Sequence, residues 1–289
     1  RHTGRVPAFR DTGADPRGAM NSDLMLATAC EVAAKIGARA VVSFVDPIPI
    51  PPGVPSVPII RVQELQLDVL KDLTMHDILE VSERHMLDAA VHLYLRRNLE
   101  NGLVVGVFPY AVIIYDIEEG KNFINLKDFS DIAPREVLHA VLSLALEIAV
   151  EGREGRSIGT AFIIGDPEEI FRHSHQAILN PYQGQPATLR DIKNKDNWES
   201  VKEFAQLDGV FVIDKNGEVR SAGRYLDVTG RGISLPGGLG GRHRATASIT
   251  YEIPAIGITV SESGGMVRIF RGGNCKIGIR SDIRVRSDG

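Results

Sequence analysis

The stretch Gly237-Gly238-Leu239-Gly240-Gly241-Arg242-His243-Arg244 joins two kinds of chemistry. Its glycines let backbone N–H groups crowd around an oxygen-rich ligand, and the arginines flanking His243 supply charge-assisted hydrogen bonds. A helix opening at about His243 adds the positive potential of its N-terminus. That combination suits a polyphosphate. It is not a Walker A loop, because no lysine follows the glycines in GK[ST] form, and it is not a GxGxxG fingerprint. Taken alone, the same residues also read as a surface glycine turn with solvated arginines.

Asp208-Gly209-Val210 stands where a helix is expected to end and the apolar run Phe211-Val212-Ile213 begins. A carboxylate at a strand entrance can hold a divalent metal or orient a hydroxyl nucleophile, and Gly209 permits close backbone approach. An ordinary turn accounts for the same dipeptide. Ser261-Glu262-Ser263-Gly264-Gly265 offers hydroxyls and backbone donors at the end of a strand, or a hairpin turn into Met266 to Phe270. His173 and His175, two apart, fall on different faces of a helix with no third ligand nearby, so they read as exposed or capping residues. His76, His85 and His92 read as surface or packing residues of a long helix.

The elements that must position these residues follow from hydrophobic spacing. A helix from Asn21 to Ile36, strands at Ala40 to Phe44 and Ile59 to Val62, a helix from Thr74 to Leu99, and strands at Leu103 to Phe108 and Ala111 to Ile117 predict a first α/β domain. A second begins near Asp131. It comprises a helix opened by Pro134, a strand from Gly159 to Gly165, a helix opened by Asp166-Pro167, a short helix from Trp198 to Leu207 and a hairpin from Gly209 to Gly223. The glycine-rich loop and its helix follow, and then strands at Ile256 to Ser261 and Met266 to Arg271. The expected division is a polar leader or tag remnant over 1–19, an α/β domain over 20–127 and a mixed twisted sheet flanked by helices over 128–289.

Composition narrows the classes of function. A net charge of -4 and a pI near 6.1 argue against a broad phosphate-neutralising surface, so no DNA partner is expected. No apolar run approaches the roughly 18 to 20 residues that span a bilayer, so no membrane partner is expected either, and the location is expected to be cytoplasmic. Cys30 and Cys275 have no CxxC partner, which suits a reducing compartment and small packing roles.

Six blocks in order resemble the diadenylate cyclase domain, in the version found in the DNA-integrity scanning protein and in archaeal cyclases. They are Gly159-Thr-Ala-Phe-Ile-Ile-Gly-Asp166, Ile178-Leu-Asn-Pro181, Gln206-Leu-Asp-Gly-Val-Phe-Val-Ile-Asp214, Ala222-Gly-Arg-Tyr-Leu-Asp227, Gly241-Arg-His-Arg-Ala245 and Val260-Ser-Glu-Ser-Gly-Gly265. The resemblance covers roughly Asp131 to the C-terminus. It implies that two ATP molecules are joined into cyclic di-AMP, with Asp208 binding Mn2+ or Mg2+ and activating a 3'-hydroxyl beside Gly209. It further implies that Arg242, His243 and Arg244 grip the triphosphate, that Ser261 touches phosphate and that Leu226 packs against adenine. Two departures stand out: Val210, where alanine is usual, adds bulk near the nucleotide, and Gly241, where threonine is common, removes a hydroxyl. A catalytically silent sensor of ATP or cyclic di-AMP is the alternative, although retention of Asp208 and of the Arg-His-Arg block favours the enzyme. The two-fold symmetric product implies a homo-oligomer whose cyclase domains face each other. The N-terminal domain loosely resembles the C-terminal domain of pyruvate kinase and is expected to serve regulation or assembly.

Overall fold

A computed structural model describes residues 16–45, 56–62, 74–97, 99–153, 156–262, 265–281 and 286–287. It divides into two compact units, each of them α/β.

In the first unit, helix α1 (Pro16–Ile36) buries Leu26, Ala29, Cys30 and Ala33, a helical stripe that meets the sheet. It starts earlier than the expected Asn21, inside the stretch read as a leader; residues 1–15 lie outside the described residues. Gly37, at φ 66°, ends it as expected. The sheet runs β12-β2-β1-β3-β4, built from β1 (Ala40–Ser43), β2 (Ile59–Arg61), β3 (Leu103–Phe108), β4 (Ala111–Asp116) and β12 (Arg286–Ser287). β1 pairs in parallel with both neighbours, Val41 opposite Ile59 and Val105, and all four of its residues are buried. Continuous burial is what a central parallel strand requires.

The second unit carries a seven-stranded mixed sheet in the order β11-β10-β9-β5-β7-β8-β6. Its strands are β5 (Thr160–Gly165), β6 (Ser174–Gln176), β7 (Val210–Ile213), β8 (Val219–Leu226), β9 (Ala255–Val260), β10 (Met266–Arg271) and β11 (Asn274–Arg280). Central β5 is parallel to β7 and antiparallel to β9. Its alternate residues serve opposite faces. Phe162 and Ile164 join Val141, Leu142 and Ala145 of α4 (Arg135–Glu151), whereas Ala161 and Ile163 join Ile249 of α8 (Gly241–Glu252) and Ile170 of α5 (Pro167–Arg172). This period of two, buried on both sides, gives the mixed, helix-flanked sheet expected for this region.

α2 (Met75–Arg97) and α3 (Ile117–Ile124) also belong to this unit, so its division from the first does not fall at the single position expected between 127 and 128. Val91, Tyr94 and Leu95 of α2 enter the same core as α4. At Gly120 a Cβ would lie 2.6 Å from the Ala90 carbonyl carbon, which brings α3 close against α2. Two short helices, α6 (Ala187–Arg190) and α7 (Trp198–Phe204), complete the fold. Lys202 of α7 is buried among Glu147, Glu151 and Glu199, and ties α7 to α4.

Helix α3 and strand β11 were not expected from spacing. β8 runs on to Leu226 instead of stopping at Gly223, because Gly223 sits inside the strand at φ 70° rather than in a turn. His173 caps α5, with Nδ1 3.0 Å from the Glu169 carbonyl oxygen, while His175 lies on β6 rather than on a helix. His85 and His92 are buried, and His92 Nε2 lies 2.6 Å from the Arg280 carbonyl oxygen. Cys30 packs in the core as expected, whereas Cys275, on the edge strand β11, is exposed.

Candidate functional site

The glycine-rich loop ends at Gly240, an extended N-cap residue with no side-chain capping bond, and α8 begins at Gly241. The first N–H groups of α8 therefore lack a side-chain acceptor, and they lie at the positive end of the helix. Arg242 stands in this first turn. Its Nη1 donates to the Gly159 carbonyl at 2.7 Å, and its Nη2 lies 3.6 Å from Asp208 Oδ1. One guanidinium thus links the entrance of β5, the approach to β7 two residues before its start, and the start of α8.

Asp208 is 82% exposed at its side chain, open to any ligand that enters. Gly209 holds it in place. At φ 101° a Cβ there would lie 2.6 Å from the Arg224 carbonyl oxygen and 2.8 Å from the Arg224 nitrogen, so only glycine fits against β8. Gly241 contrasts with it: no atom lies within 4 Å of a Cβ built there, so the departure from threonine leaves open space at the helix start.

These residues surround a cleft of about 610 Å³. Of the residues singled out from sequence, Asp208, Gly209, Val210, Leu226, Gly241, Arg242, His243 and Ser261 line it. Arg244 does not. Two positions on from Arg242 the helix has turned by about 200°, and Arg244 lines a neighbouring cleft of about 560 Å³ with Thr229 and Ser248.

His243 lines the first cleft without the charge expected of the Arg-His-Arg block. It is 7% exposed, its ring meets Phe270 edge-on at 6.3 Å, and its Nε2 is buried without a hydrogen-bond partner. Burial, then the Arg268 and Arg242 charges, push its pKa down to about 4. At neutral pH the imidazole is uncharged, so the cation count of the cleft rests on arginine alone.

Sequence reasoning did not single out Gly159, Arg224, Tyr225, Glu262 and Arg268, which also line the cleft. Most sit inside the blocks quoted for the resemblance. Arg268 does not, yet its strand carried a signal: Val267 and Ile269 are apolar and buried in the α4-side core, which leaves Arg268 on the α8 side.

Among the described residues no group of three His, Cys, Asp or Glu side chains forms a metal cage. Mg2+ and Mn2+ do not need one, since they take one or two carboxylates and complete their shells with water and substrate phosphates. Asp208 and Glu262 both line the cleft, so its donors fit a cation that arrives with a phosphate ligand.

An open helix N-terminus, a glycine loop and arginines at the strand ends of a mixed sheet define a nucleotide-binding α/β domain. Residues 147–275 match the family model described as "DisA bacterial checkpoint controller nucleotide-binding". Residues 24–118 match the model described as "Probable sensor domain DacZ_A". The chain is 39% identical over 177 residues to a diadenylate cyclase of Methanocaldococcus jannaschii, covering 60% of this chain and 55% of that protein. It is 38% identical over 138 residues to a diadenylate cyclase of Haloferax volcanii, covering 47% of this chain and 50% of that protein. The chain spans about half the length of the curated relatives it matches.

Proposed function

We propose that this chain is a diadenylate cyclase that condenses two ATP molecules into cyclic di-AMP and releases two pyrophosphates. The observation that carries this reading is the Asp208–Arg242 pair at the open start of α8, which sets a carboxylate and a guanidinium on one cleft. In each of two reciprocal steps a ribose 3'-oxygen bonds to the α-phosphorus of the other ATP. The bond from that phosphorus to the bridging oxygen breaks, pyrophosphate leaves with the electron pair, and the hydroxyl proton passes to Asp208 or to water.

The roles divide by chemistry. Asp208 orients the hydroxyl, and Arg242 with the α8 N–H groups stabilises charge on the phosphates. Ser261 adds a hydroxyl to the phosphate side, while Val210 and Leu226 give the base an apolar wall. Mn2+ or Mg2+, held by Asp208 and the phosphates, would polarise the hydroxyl and neutralise phosphate charge. Arg244, in the adjacent cleft, is assigned to a phosphate that reaches past the helix start.

A two-fold product made from one cleft per chain calls for two chains face to face, and hence a homo-oligomer. No described helix is long and apolar enough to cross a membrane, and the two free cysteines suit a reducing cytoplasm. The N-terminal unit is assigned a regulatory or assembly role.

Purified protein incubated with ATP and either metal, with nucleotides resolved by anion exchange, tests the reading beside Asp208→Asn. Cyclic di-AMP from the parent and almost none from the variant is expected. ATP binding with no product under either metal would leave a nucleotide sensor in place of an enzyme.

A further inference from the structure

Among the described residues, one cation of the cleft has no side-chain partner. Arg224 is committed to Ser174, through both its hydroxyl and its carbonyl at 2.9 and 2.8 Å, and stacks over Phe171. Arg242 is committed to Gly159 and Asp208. Arg268 lines the same cleft from β10, yet among the described residues its side chain has neither a hydrogen bond nor a carboxylate partner. It is only partly exposed, and it lines the cleft together with His243, whose buried Nε2 is also without a partner among the described residues. A half-buried guanidinium that shares a cleft with a second one and has no carboxylate of its own is an unfavourable arrangement that a bound anion relieves.

We propose that Arg268 is a phosphate-binding residue of the nucleotide cleft, holding the terminal phosphates of a nucleoside triphosphate between itself and Arg242. The anion would enter where three strand and helix ends meet. Ser261 N–H donates to the Met266 carbonyl at 3.0 Å, which closes the end of β9 onto the start of β10, two residues before Arg268. The imidazole of His243 lines the same cleft, with its Nε2 buried. Arg268 thereby supplies the second positive charge that His243, held uncharged by burial, does not. Pyrophosphate leaving from the α-phosphorus would depart toward this pair of arginines. The inference rests on the reading of the cleft as an ATP site.

The test is the dissociation constant for ATP, by calorimetry with Mg2+ on the full chain, for the parent, Arg268→Gln and Arg268→Lys, each checked for an unchanged thermal transition. Arg268→Gln is expected to weaken ATP about 10- to 100-fold, the usual cost of a hydrogen bond to a charged group, and Arg268→Lys to recover most of that loss. An unchanged affinity in Arg268→Gln, or a lysine variant no better than glutamine, would overturn the proposal. A parent that binds no ATP would sink both this proposal and the cyclase reading. A parent that binds ATP without forming cyclic di-AMP would sink only the latter, and the two variants would still decide the role of Arg268.

Discussion

Gly257 of β9 lies directly beneath Thr246 of α8: a Cβ on Gly257 would come within 2.2 Å of Thr246 Cγ2. The helix that carries Arg242 and His243 therefore rests on the sheet through a position where no side chain fits. The same packing sets how far the start of α8 stands from Asp208.

Gly257→Ala forces the helix away from the strand. Overpacking of this kind costs about 1–3 kcal/mol, so the urea midpoint should fall. ATP affinity should fall with it, because the displaced helix carries Arg242 away from Gly159 and Asp208. An alanine variant with parental stability and binding would show that α8 is not seated by this contact.

The two glycines flanking the cleft should respond oppositely. Gly209→Ala meets the Arg224 backbone at a left-handed φ, a conformation whose strain alone costs about 1–3 kcal/mol. Loss of both stability and cyclase activity is expected. Gly241→Thr meets open space, so stability should change by no more than about 0.5 kcal/mol. Its hydroxyl should leave ATP affinity equal or improved. Chemical denaturation and ATP titration of the two variants read both outcomes.

His243 makes stability depend on pH. Its folded pKa of about 4 lies below the ordinary value of 6.5, so between those values the unfolded chain binds the extra proton. Stability is then fully present above pH 6.5 and is lost as pH falls toward 4, by about 2 kcal/mol between pH 7 and pH 5. The comparison is urea unfolding of the parent and of His243→Gln at both pH values. The parent should lose more than the variant by that amount, and equal losses would mean that the imidazole titrates normally.

Lys202 carries its charge inside the fold. Burial opposes that charge, but the hydrogen bonds it donates to Glu147, Glu199 and Glu151 outweigh it and raise the pKa. Lys202→Met leaves those carboxylates facing one another. Because they are partly exposed, the expected loss is about 2 kcal/mol at pH 7, below the range for a fully buried pair. Thermal melts of the parent and of Lys202→Met at pH 7 would read the loss, and a variant as stable as the parent would mean that the buried charge is not held by these carboxylates.

The sequence by itself determined the elements and the chemical vocabulary of the site. The short apolar runs Thr160–Gly165 and Val210–Ile213, the stripe of α4 and the stop signals Gly37 and Gly152 are local properties of the sequence, readable without knowing what packs where. The glycine loop with its arginines and the Asp208-Gly209 turn were legible for the same reason. α3 and β11 were missed because short elements take their stability from tertiary neighbours: α3 from its contact with α2 at Gly120, β11 from pairing with β10. Only the tertiary structure decided which charges share a cleft. Helical rotation separates Arg244 from Arg242, burial removes the charge of His243, and sheet order brings Arg268 in from a strand that no motif marks. Charge and proximity at a site depend on desolvation and on strand order, and both are set by contacts between residues far apart in the chain.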